Sequence, residues 1–129
     1  MRLLLDTHAL LWALTDPDHL GASALTALQD TGSQLVVSAV SAWEIATKHR
    51  LGKLPQADAL VGAYAHHLDR LGAERLPVTE DHALLAGRLP WPHRDPFDRM
   101  LAAQAMTESI PLVTNDSAFE SIPSVARIW

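Results

Sequence analysis

Four acidic residues of this 129-residue chain stand where a strand is predicted to end or a helix to begin. They are widely separated in the sequence: Asp6, Glu44, Asp98 and Asp116. Mg²⁺ binds oxygen ligands and keeps several waters, so a few carboxylates together with substrate phosphate oxygens are enough to hold it. If the fold brings the four side chains together, they predict a divalent-cation site whose chemistry is phosphoryl transfer.

The composition restricts the ligands of such a site to oxygen and histidine. The chain has no cysteine, which excludes disulfides, a thiol nucleophile and thiolate zinc sites. Its net charge of −5 is largely accounted for by the four carboxylates, and acidity of this local kind is compatible with an anionic substrate once a cation is bound.

The apolar segments are too short for a membrane protein. Hydrophobic residues make up 48% of the chain, but no apolar run reaches the ~18 to 20 residues that a membrane span requires. The apolar start contains Asp6 and His8, which argues against a signal peptide. We therefore expect a soluble, cytoplasmic protein with no membrane partner.

Each acid also has a purely structural interpretation. Asp116 fits an Asx turn, and Ser41 with Glu44 matches a helix capping box. Asp6 fits a turn after a strand, and Asp95 and Asp98, on either side of a proline, fit the cap and first turn of a helix. Four such coincidences at comparable positions of the fold are less expected than one shared purpose, so we favour a common site.

Strands and helices are predicted to alternate along the chain. Apolar and β-branched runs predict strands at residues 2–5, 35–37, 74–78, 111–114 and 126–129. Helical spacing and cap residues predict helices at residues 8–14, 23–31, 42–51, 57–71, from 79 onward and 95–109. This alternation predicts an α/β fold with a mainly parallel sheet covered on both faces, and the length fits one domain over residues 1–129.

The predicted fold gives the acids a common location. Sites in open parallel sheets form outside the carboxyl ends of the strands, where Asp6 and Asp116 fall. Glu44 and Asp98 are predicted in the first turns of two helices. Clustered carboxylates raise one another's pKa, so the cluster would lower stability unless a cation is bound there.

Four segments around these acids resemble the successive acidic motifs of PIN-domain nucleases, above all the VapC toxins. The segments are LLLDTHALLW around Asp6, SAVSAWEIATKHRLGK around Glu44, HRDPFDRMLAAQA around Asp98, and LVTND ending at Asp116. The resemblance spans essentially the whole chain, in order. It implies a three-layer α/β/α fold and an Mg²⁺-dependent endoribonuclease, in which Mn²⁺ can substitute. It further implies a homodimeric toxin of a toxin–antitoxin pair, held inactive by a cognate VapB antitoxin.

The resemblance also assigns site residues. Asp6, Glu44 and Asp98 match the metal-site acids, Asp116 matches a fourth and more peripheral acid, and Asp95 is a less certain additional ligand. Water is then the nucleophile, and the products carry a 5′-phosphate and a 3′-hydroxyl.

Several polar residues would support this site. By the same resemblance, Thr7 and Thr114 occupy hydroxyl positions that help to orient the pocket, and Asn115 lies beside it. Basic residues near the acids are possible RNA contacts, although a solvated helix surface explains them equally well. These basic residues are Lys48, Arg50, Lys53 and Arg99.

The histidines and tryptophans are interpreted as structural residues. We expect packing or surface positions rather than general bases for His8, His49, His82 and His93. We expect core or interface positions rather than base-stacking roles for Trp12, Trp43, Trp91 and Trp129.

Two other functions place acids at similar positions. A receiver-like phospho-acceptor domain also binds Mg²⁺ at strand ends, but it requires a lysine on a late strand and a paired acidic cluster near the start, and neither is evident in the sequence. A non-catalytic binding module, whose acids only cap helices, is the third hypothesis. Metal-dependent cleavage of RNA separates the nuclease from both.

Overall fold

The computed structural model describes the backbone of residues 1–129 and every side chain other than that of Gln56. Within it, five strands form one sheet in the order β3-β2-β1-β4-β5, and all neighbouring strands are parallel. The strands are β1 (Arg2–Leu5), β2 (Gln34–Ser38), β3 (Glu74–Leu76), β4 (Leu112–Val113) and β5 (Arg127–Ile128). The predicted parallel sheet is therefore confirmed, although β2 is two residues longer than predicted and β3, β4 and β5 are each two residues shorter.

Helices cover both faces of the sheet. They are α1 (Thr7–Thr15), α2 (Ala22–Gln29), α3 (Ala39–Arg50), α4 (Asp58–Gly62), α5 (Tyr64–Leu71), α6 (Glu80–Arg88) and α7 (Pro96–Glu108). Short 3₁₀ segments lie at Pro17–His19, Pro55–Ala57 and Ser117–Ser121. This arrangement confirms the expected three-layer α/β/α sandwich.

The alternation of side chains along β1 divides the core into two halves. Leu3 and Leu5 pack in a cluster with α1, α2 and α5, whereas Leu4 packs on the opposite face with α7 and Phe119. All three leucines are fully buried. A strand covered on both faces is expected to be continuously apolar, as β1 is.

The strand order places a crevice at the end of β1. The chain runs outward from β1 to β2 and β3, and then returns to β4 on the other side of β1. The helix that follows β1 and the 3₁₀ segment that follows β4 pack on opposite faces of the sheet, and such a topological switch point is where parallel sheets bind ligands.

Helix α3 begins earlier than predicted. Ser38 is its N-cap, with the side-chain oxygen accepting a hydrogen bond from the N–H of Val40 at 3.0 Å. The structural alternative of a capping box between Ser41 and Glu44 is therefore wrong, and Glu44 lies in the second turn of the helix instead of the predicted first turn. Because β2 runs directly into the helix, the serine at the strand end takes the capping role.

The helix predicted over residues 57–71 is divided into α4 and α5. Ala63 separates them with φ −138° and ψ 35°, outside the helical region. Its N–H bonds to the carbonyl of Leu60, as at a helix end. The spacing of apolar residues continues across this break, which is why the sequence did not reveal it.

Of the helices that the structure describes, none combines the length and apolar character needed to cross a membrane.

Candidate active site

A cavity of about 350 Å³ opens at the carboxyl ends of β1 and β4. The five carboxylates singled out in the sequence all line it. The complete lining is Asp6, Thr7, His8, Trp12, Glu44, Lys48, Asp95, Asp98, Asn115 and Asp116. Residues that are up to 110 positions apart in the sequence thus line the same cavity, because β1 and β4 are neighbours in the sheet.

Asp6 joins β1 to α1 and is held at the bottom of the cavity. It is the N-cap of α1, and its Oδ1 accepts a hydrogen bond from the N–H of Ala9 at 2.7 Å. Only 7% of the residue is exposed. Burial raises the pKa of Asp6 above its ordinary value, while the hydroxyl of Thr114 and the N–H of Ala9 oppose that shift.

Glu44 projects from α3 into the same space and is 4% exposed. The hydroxyl of Thr7 donates a hydrogen bond to its Oε1 at 2.5 Å, and the Oγ of Ser41 lies 3.1 Å from that hydroxyl. The second carboxylate oxygen forms an ion pair with Lys48, one helical turn further along α3. Both oxygens of this buried carboxylate are therefore oriented by neighbouring side chains.

Lys48 carries the positive charge of the cavity. Burial lowers its pKa, but the hydrogen bond and charge of Glu44, with further contributions from Asp95 and Asp98, more than offset this and leave the pKa above the ordinary lysine value. Lys48 therefore remains protonated at neutral pH and compensates part of the acidic charge.

Asp98 and Asp95 lie at the start of α7. The Oδ1 of Asp95 caps the helix by accepting from the N–H groups of Phe97 at 2.8 Å and Asp98 at 3.2 Å. The carboxylate of Asp98 instead points to the imidazole of His93, with 2.7 Å between Oδ2 and Nε2. Asp95 is thus the helix cap, whereas Asp98 bonds a side chain, and both line the cavity.

The environment of Asp98 disfavours its charged form. Burial above all, together with the negative charges of Asp95, Asp116 and Glu44, raises the pKa of Asp98 to about 6 against the opposing hydrogen bond of His93. The acids are therefore close enough to repel one another, as clustered carboxylates do in the absence of a compensating cation.

The segment after β4 forms the remaining wall. Thr114 is fully buried, and its hydroxyl accepts a hydrogen bond from the N–H of Asp116 at 3.0 Å. Asp116 caps the 3₁₀ segment Ser117–Ser121 through its Oδ1, which accepts from the N–H of Ala118 at 2.9 Å. Asn115 and Asp116 are exposed at the mouth of the cavity.

The donor set of the cavity suits a hard divalent cation. Its ligating atoms are carboxylate, hydroxyl and amide oxygens, which Mg²⁺ and Mn²⁺ prefer, and two of the carboxylates are buried. In the described part of the chain, no three histidine or acidic side chains are arranged to hold one ion in this conformation. Glu44 and Asp98 turn toward Lys48 and His93, so that binding an ion requires these partners to be exchanged.

The predicted RNA contacts occupy three different environments. Lys48 lines the cavity, whereas Arg50 and Lys53 are exposed near the end of α3, outside the lining. Arg99 donates hydrogen bonds to four backbone carbonyls, at 2.6 to 3.0 Å, in the segment that leads to α7. Its guanidinium holds that segment in place, and these four bonds leave one of its five N–H donors for the predicted phosphate contact.

Two aromatic residues of the cavity were interpreted in the sequence as structural. His8 and Trp12 lie four residues apart on α1 and both line the cavity. The signal available in the sequence was this spacing, which places both side chains on one helix face next to Asp6. The other tryptophans differ, since Trp91 is buried and Trp43 is 60% exposed against Phe97.

Comparisons with known proteins agree with this fold. The family model described as PIN domain matches residues 3–125. Ribonuclease VapC16 of Mycobacterium tuberculosis is 39% identical over 61 residues, which are 47% of this chain but only 42% of that protein.

Solved structures resemble the chain over almost its full length. One of them is VapBC2 from Rickettsia felis bound to a DNA fragment from its promoter, which is 18% identical to this chain with a TM-score of 0.72. The match covers 98% of this chain and 97% of the Rickettsia felis chain. VapBC-1 from nontypeable Haemophilus influenzae is 18% identical with a TM-score of 0.67, and the match covers 98% of this chain and 96% of the Haemophilus influenzae chain. At these identities the likeness shows the fold.

Proposed function

Since the chain belongs to the PIN domain family, we propose that it is a divalent-metal-dependent endoribonuclease and the toxin of a VapBC-type toxin–antitoxin pair. The ribonuclease relative and the VapBC structures support this assignment. We further propose that residues 1–129 form one PIN domain, because the family model spans nearly all of them.

The observation that carries the proposal is the convergence of the acids on one cavity. Burial raises the pKa of Asp6 and of Asp98 there, so the protein maintains carboxylates in a place where their charge is unfavourable. A structural cap needs no such arrangement, because capping works equally well at an exposed helix end. Function is the simplest reason to retain it.

The proposed ligands are Asp6, Glu44, Asp98 and Asp116. Asp95 is a further, less certain candidate, since one of its carboxylate oxygens already caps α7. Mg²⁺ is the proposed cofactor, and Mn²⁺ is expected to replace it. When bound, such a cation neutralises charge on a phosphodiester and promotes the ionisation of water.

The residues of the chain have separate tasks in this proposal. Thr7 fixes the carboxylate of Glu44 through its hydroxyl, and Thr114 fixes the backbone of Asp116. Lys48 compensates the acidic charge. When substrate binds, its ammonium group leaves Glu44 and pairs with a phosphate of the RNA. Asn115 lies at the cavity mouth, where its amide can donate to a phosphate or ribose oxygen.

RNA also requires cationic surface outside the cavity. Arg50 and Lys53 are exposed near the end of the helix that carries Glu44, and we propose that they bind the phosphates that flank the cleaved bond. Arg99 is the weaker candidate among the predicted contacts, because four of its five N–H donors bond carbonyls of the chain.

The partner proteins follow from the kind of system proposed. We propose a VapB-type antitoxin and a homodimer, and cytoplasmic residence, where the RNA substrate is. The solved relatives named as VapBC support the antitoxin. Exposed apolar side chains, including Trp43 at 60%, Leu51 at 52% and Leu84 at 60%, offer surface for protein contacts.

Cleavage of labelled RNA with and without Mg²⁺ or Mn²⁺ tests the function. Transfer, ribosomal and messenger RNA are offered in parallel, and the products are examined for a 5′-phosphate and a 3′-hydroxyl. Asp6→Asn and Asp98→Asn are expected to abolish cleavage, whereas Asp18→Asn, which alters an exposed carboxylate outside the cavity, retains it. Intact RNA with folded protein and excess Mn²⁺ would contradict the proposal.

A further inference from the structure

We propose that His8 and Trp12 form a stacking subsite for one base of single-stranded RNA beside the acidic cavity. This inference rests on the proposed function and adds to it the place where the substrate base binds. It departs from the sequence interpretation, in which Trp12 was a core or interface residue.

The two side chains share one face of α1 and the same cavity as the acids. They are four residues apart, so they lie one above the other on the helix. Both belong to the lining that contains Asp6, which caps α1, and Asp116 at the mouth. A nucleotide whose phosphate lies among the carboxylates therefore has aromatic rings on one side.

The rings are already held in position by neighbouring aromatic groups. The centroid of Trp12 lies 5.7 Å from that of His8, with an interplanar angle of 41°. His19 stacks on the indole at 5.7 Å and 13°, and Trp129 contacts it at 5.6 Å and 56°. Because Trp12 is fixed before a ligand arrives, stacking on this pair costs little side-chain entropy.

The exposure of the pair differs from that of a tryptophan with a structural role. His8 is exposed and Trp12 is half-buried, whereas Trp91 is buried and donates its indole N–H to Ser121 at 2.9 Å. None of the described residues accepts a hydrogen bond from the indole N–H of Trp12. The part of the indole surface that His19 and Trp129 leave exposed and the indole N–H are therefore both available to a ligand.

An RNA base fits these features better than a protein segment does. Proteins bind single-stranded RNA by stacking unpaired bases on aromatic rings, next to groups that bind the backbone. The cavity supplies both within a single lining, with Lys48 as the cation and His8 with Trp12 as the rings. His8 and Trp12 would therefore position the substrate by stacking on one of its bases.

The experiment compares two short RNAs that carry the same number of phosphates. One is a five-nucleotide RNA labelled with fluorescein, and the other is the same chain with abasic riboses. Binding is measured by fluorescence anisotropy with Mg²⁺ in the Asp98→Asn background, in which the proposed function predicts no cleavage. The added variants are His8→Ala, His8→Tyr, Trp12→Leu and Trp12→Phe, and His66→Ala serves as a matched control on the exposed surface of α5.

We expect His8→Ala and Trp12→Leu to weaken binding of the base-containing RNA by roughly 5- to 150-fold, the usual range for loss of one base stack. His8→Tyr and Trp12→Phe keep an aromatic ring and are expected to retain most of the affinity. The abasic RNA should bind more weakly, and equally to all variants. Circular dichroism of each variant identifies any loss caused by unfolding, and His8, being exposed, provides the test if Trp12 variants do not fold.

Equal binding of the two RNAs, or an equal loss for both in His8→Ala, overturns the subsite, because the contact would then be to phosphate. The same holds if the alanine and leucine variants lose affinity only for an antitoxin peptide. RNA cleavage by the unaltered protein is measured in parallel. Cleavage without base-dependent binding rejects the subsite alone, whereas base-dependent binding without cleavage rejects the proposed nuclease and retains the subsite.

Discussion

Lys48 and Glu44, one helical turn apart on α3, form an ion pair inside the acidic cavity. Glu44 is buried, and 29% of the Lys48 side chain is exposed. The ammonium group thus occupies the position of a counter-ion among the carboxylates. If the cavity binds a divalent cation, this lysine and the metal compete for the same negative charge.

Lys48→Met is expected to destabilise the metal-free protein by roughly 1 to 3 kcal/mol, because the buried Glu44 loses its cation while Lys48 itself is only partly buried. Added Mn²⁺ should then raise the melting temperature of the variant more than that of the unaltered protein. Lys53→Met removes the same charge from an exposed position and should change neither the stability without metal nor the Mn²⁺-dependent rise in melting temperature. Identical Mn²⁺ responses in all three proteins would show that Lys48 does not compete with a metal.

Asp98 predicts a particular dependence of stability on pH in the absence of metal. The pKa of Asp98 is about 6 in the folded protein and about 4 in an unfolded chain. The folded state therefore binds the proton more tightly, and this residue makes stability fall as the pH rises from about 4 to 6, with no further loss above that range. Urea unfolding in EDTA at several pH values measures the slope.

Asp98→Asn should remove this contribution, so the variant gains stability relative to the unaltered protein as the pH rises through the same interval. Asp18→Asn, at an exposed site, serves as the control. Parallel pH curves for Asp98→Asn and the unaltered protein would mean that the carboxylate is not perturbed.

Arg99 predicts a loss of stability and no direct loss of RNA affinity. Its guanidinium bonds the carbonyls of four residues before α7, at positions 86, 89, 91 and 93. Arg99→Lys cannot reproduce this planar set of donors, and we expect it to cost about 2 to 3 kcal/mol of unfolding free energy. Arg50→Lys, at an exposed position, should stay within about 0.5 kcal/mol.

Thermal and urea unfolding give these values, and anisotropy with the labelled RNA gives the affinity. If Arg99→Lys were as stable as the unaltered protein but bound RNA more weakly, the guanidinium would be a phosphate contact after all.

The hydroxyl of Thr7 is expected to orient Glu44. Thr7→Val keeps the shape of the side chain but removes the donor that lies 2.5 Å from Oε1, which should lower stability by about 1.5 to 3 kcal/mol, as for other hydrogen bonds to charged groups. Thr7→Val is also expected to weaken Mn²⁺ binding measured by calorimetry, whereas Thr7→Ser keeps the hydroxyl and should retain most of the stability and of the Mn²⁺ affinity. A Thr7→Val protein with unchanged stability and Mn²⁺ affinity would contradict this role.

The sequence was sufficient to predict the fold and the convergence of the acids, because both follow from local patterns. Apolar runs that end at Asp6 and Asp116 mark the ends of adjacent parallel strands, and those ends must meet. The turn of α3 that carries Glu44 was less predictable, because the helix is capped by Ser38 and so begins earlier than its sequence pattern indicates.

Contacts between distant residues could not be predicted in this way. The bond between Thr7 and Glu44 joins residues 37 positions apart, and only the three-dimensional packing of α1 against α3 brings them together. The role of Arg99 likewise depends on the path of an irregular segment, for which the sequence has no periodic signal. The functional interpretation of Trp12 required its neighbours, Trp129 above all, to be located.

A crystal soaked with Mn²⁺ tests the central claim most directly, because anomalous scattering locates the ion and identifies its ligands. We predict a peak in the cavity at the ends of β1 and β4, roughly 2.0 to 2.2 Å from carboxylate oxygens that include those of Asp6 and Asp98. Lys48 and His93 should then have turned away from Glu44 and Asp98. A cavity without a peak at saturating Mn²⁺, with Lys48 still on Glu44 and His93 still on Asp98, would contradict the account.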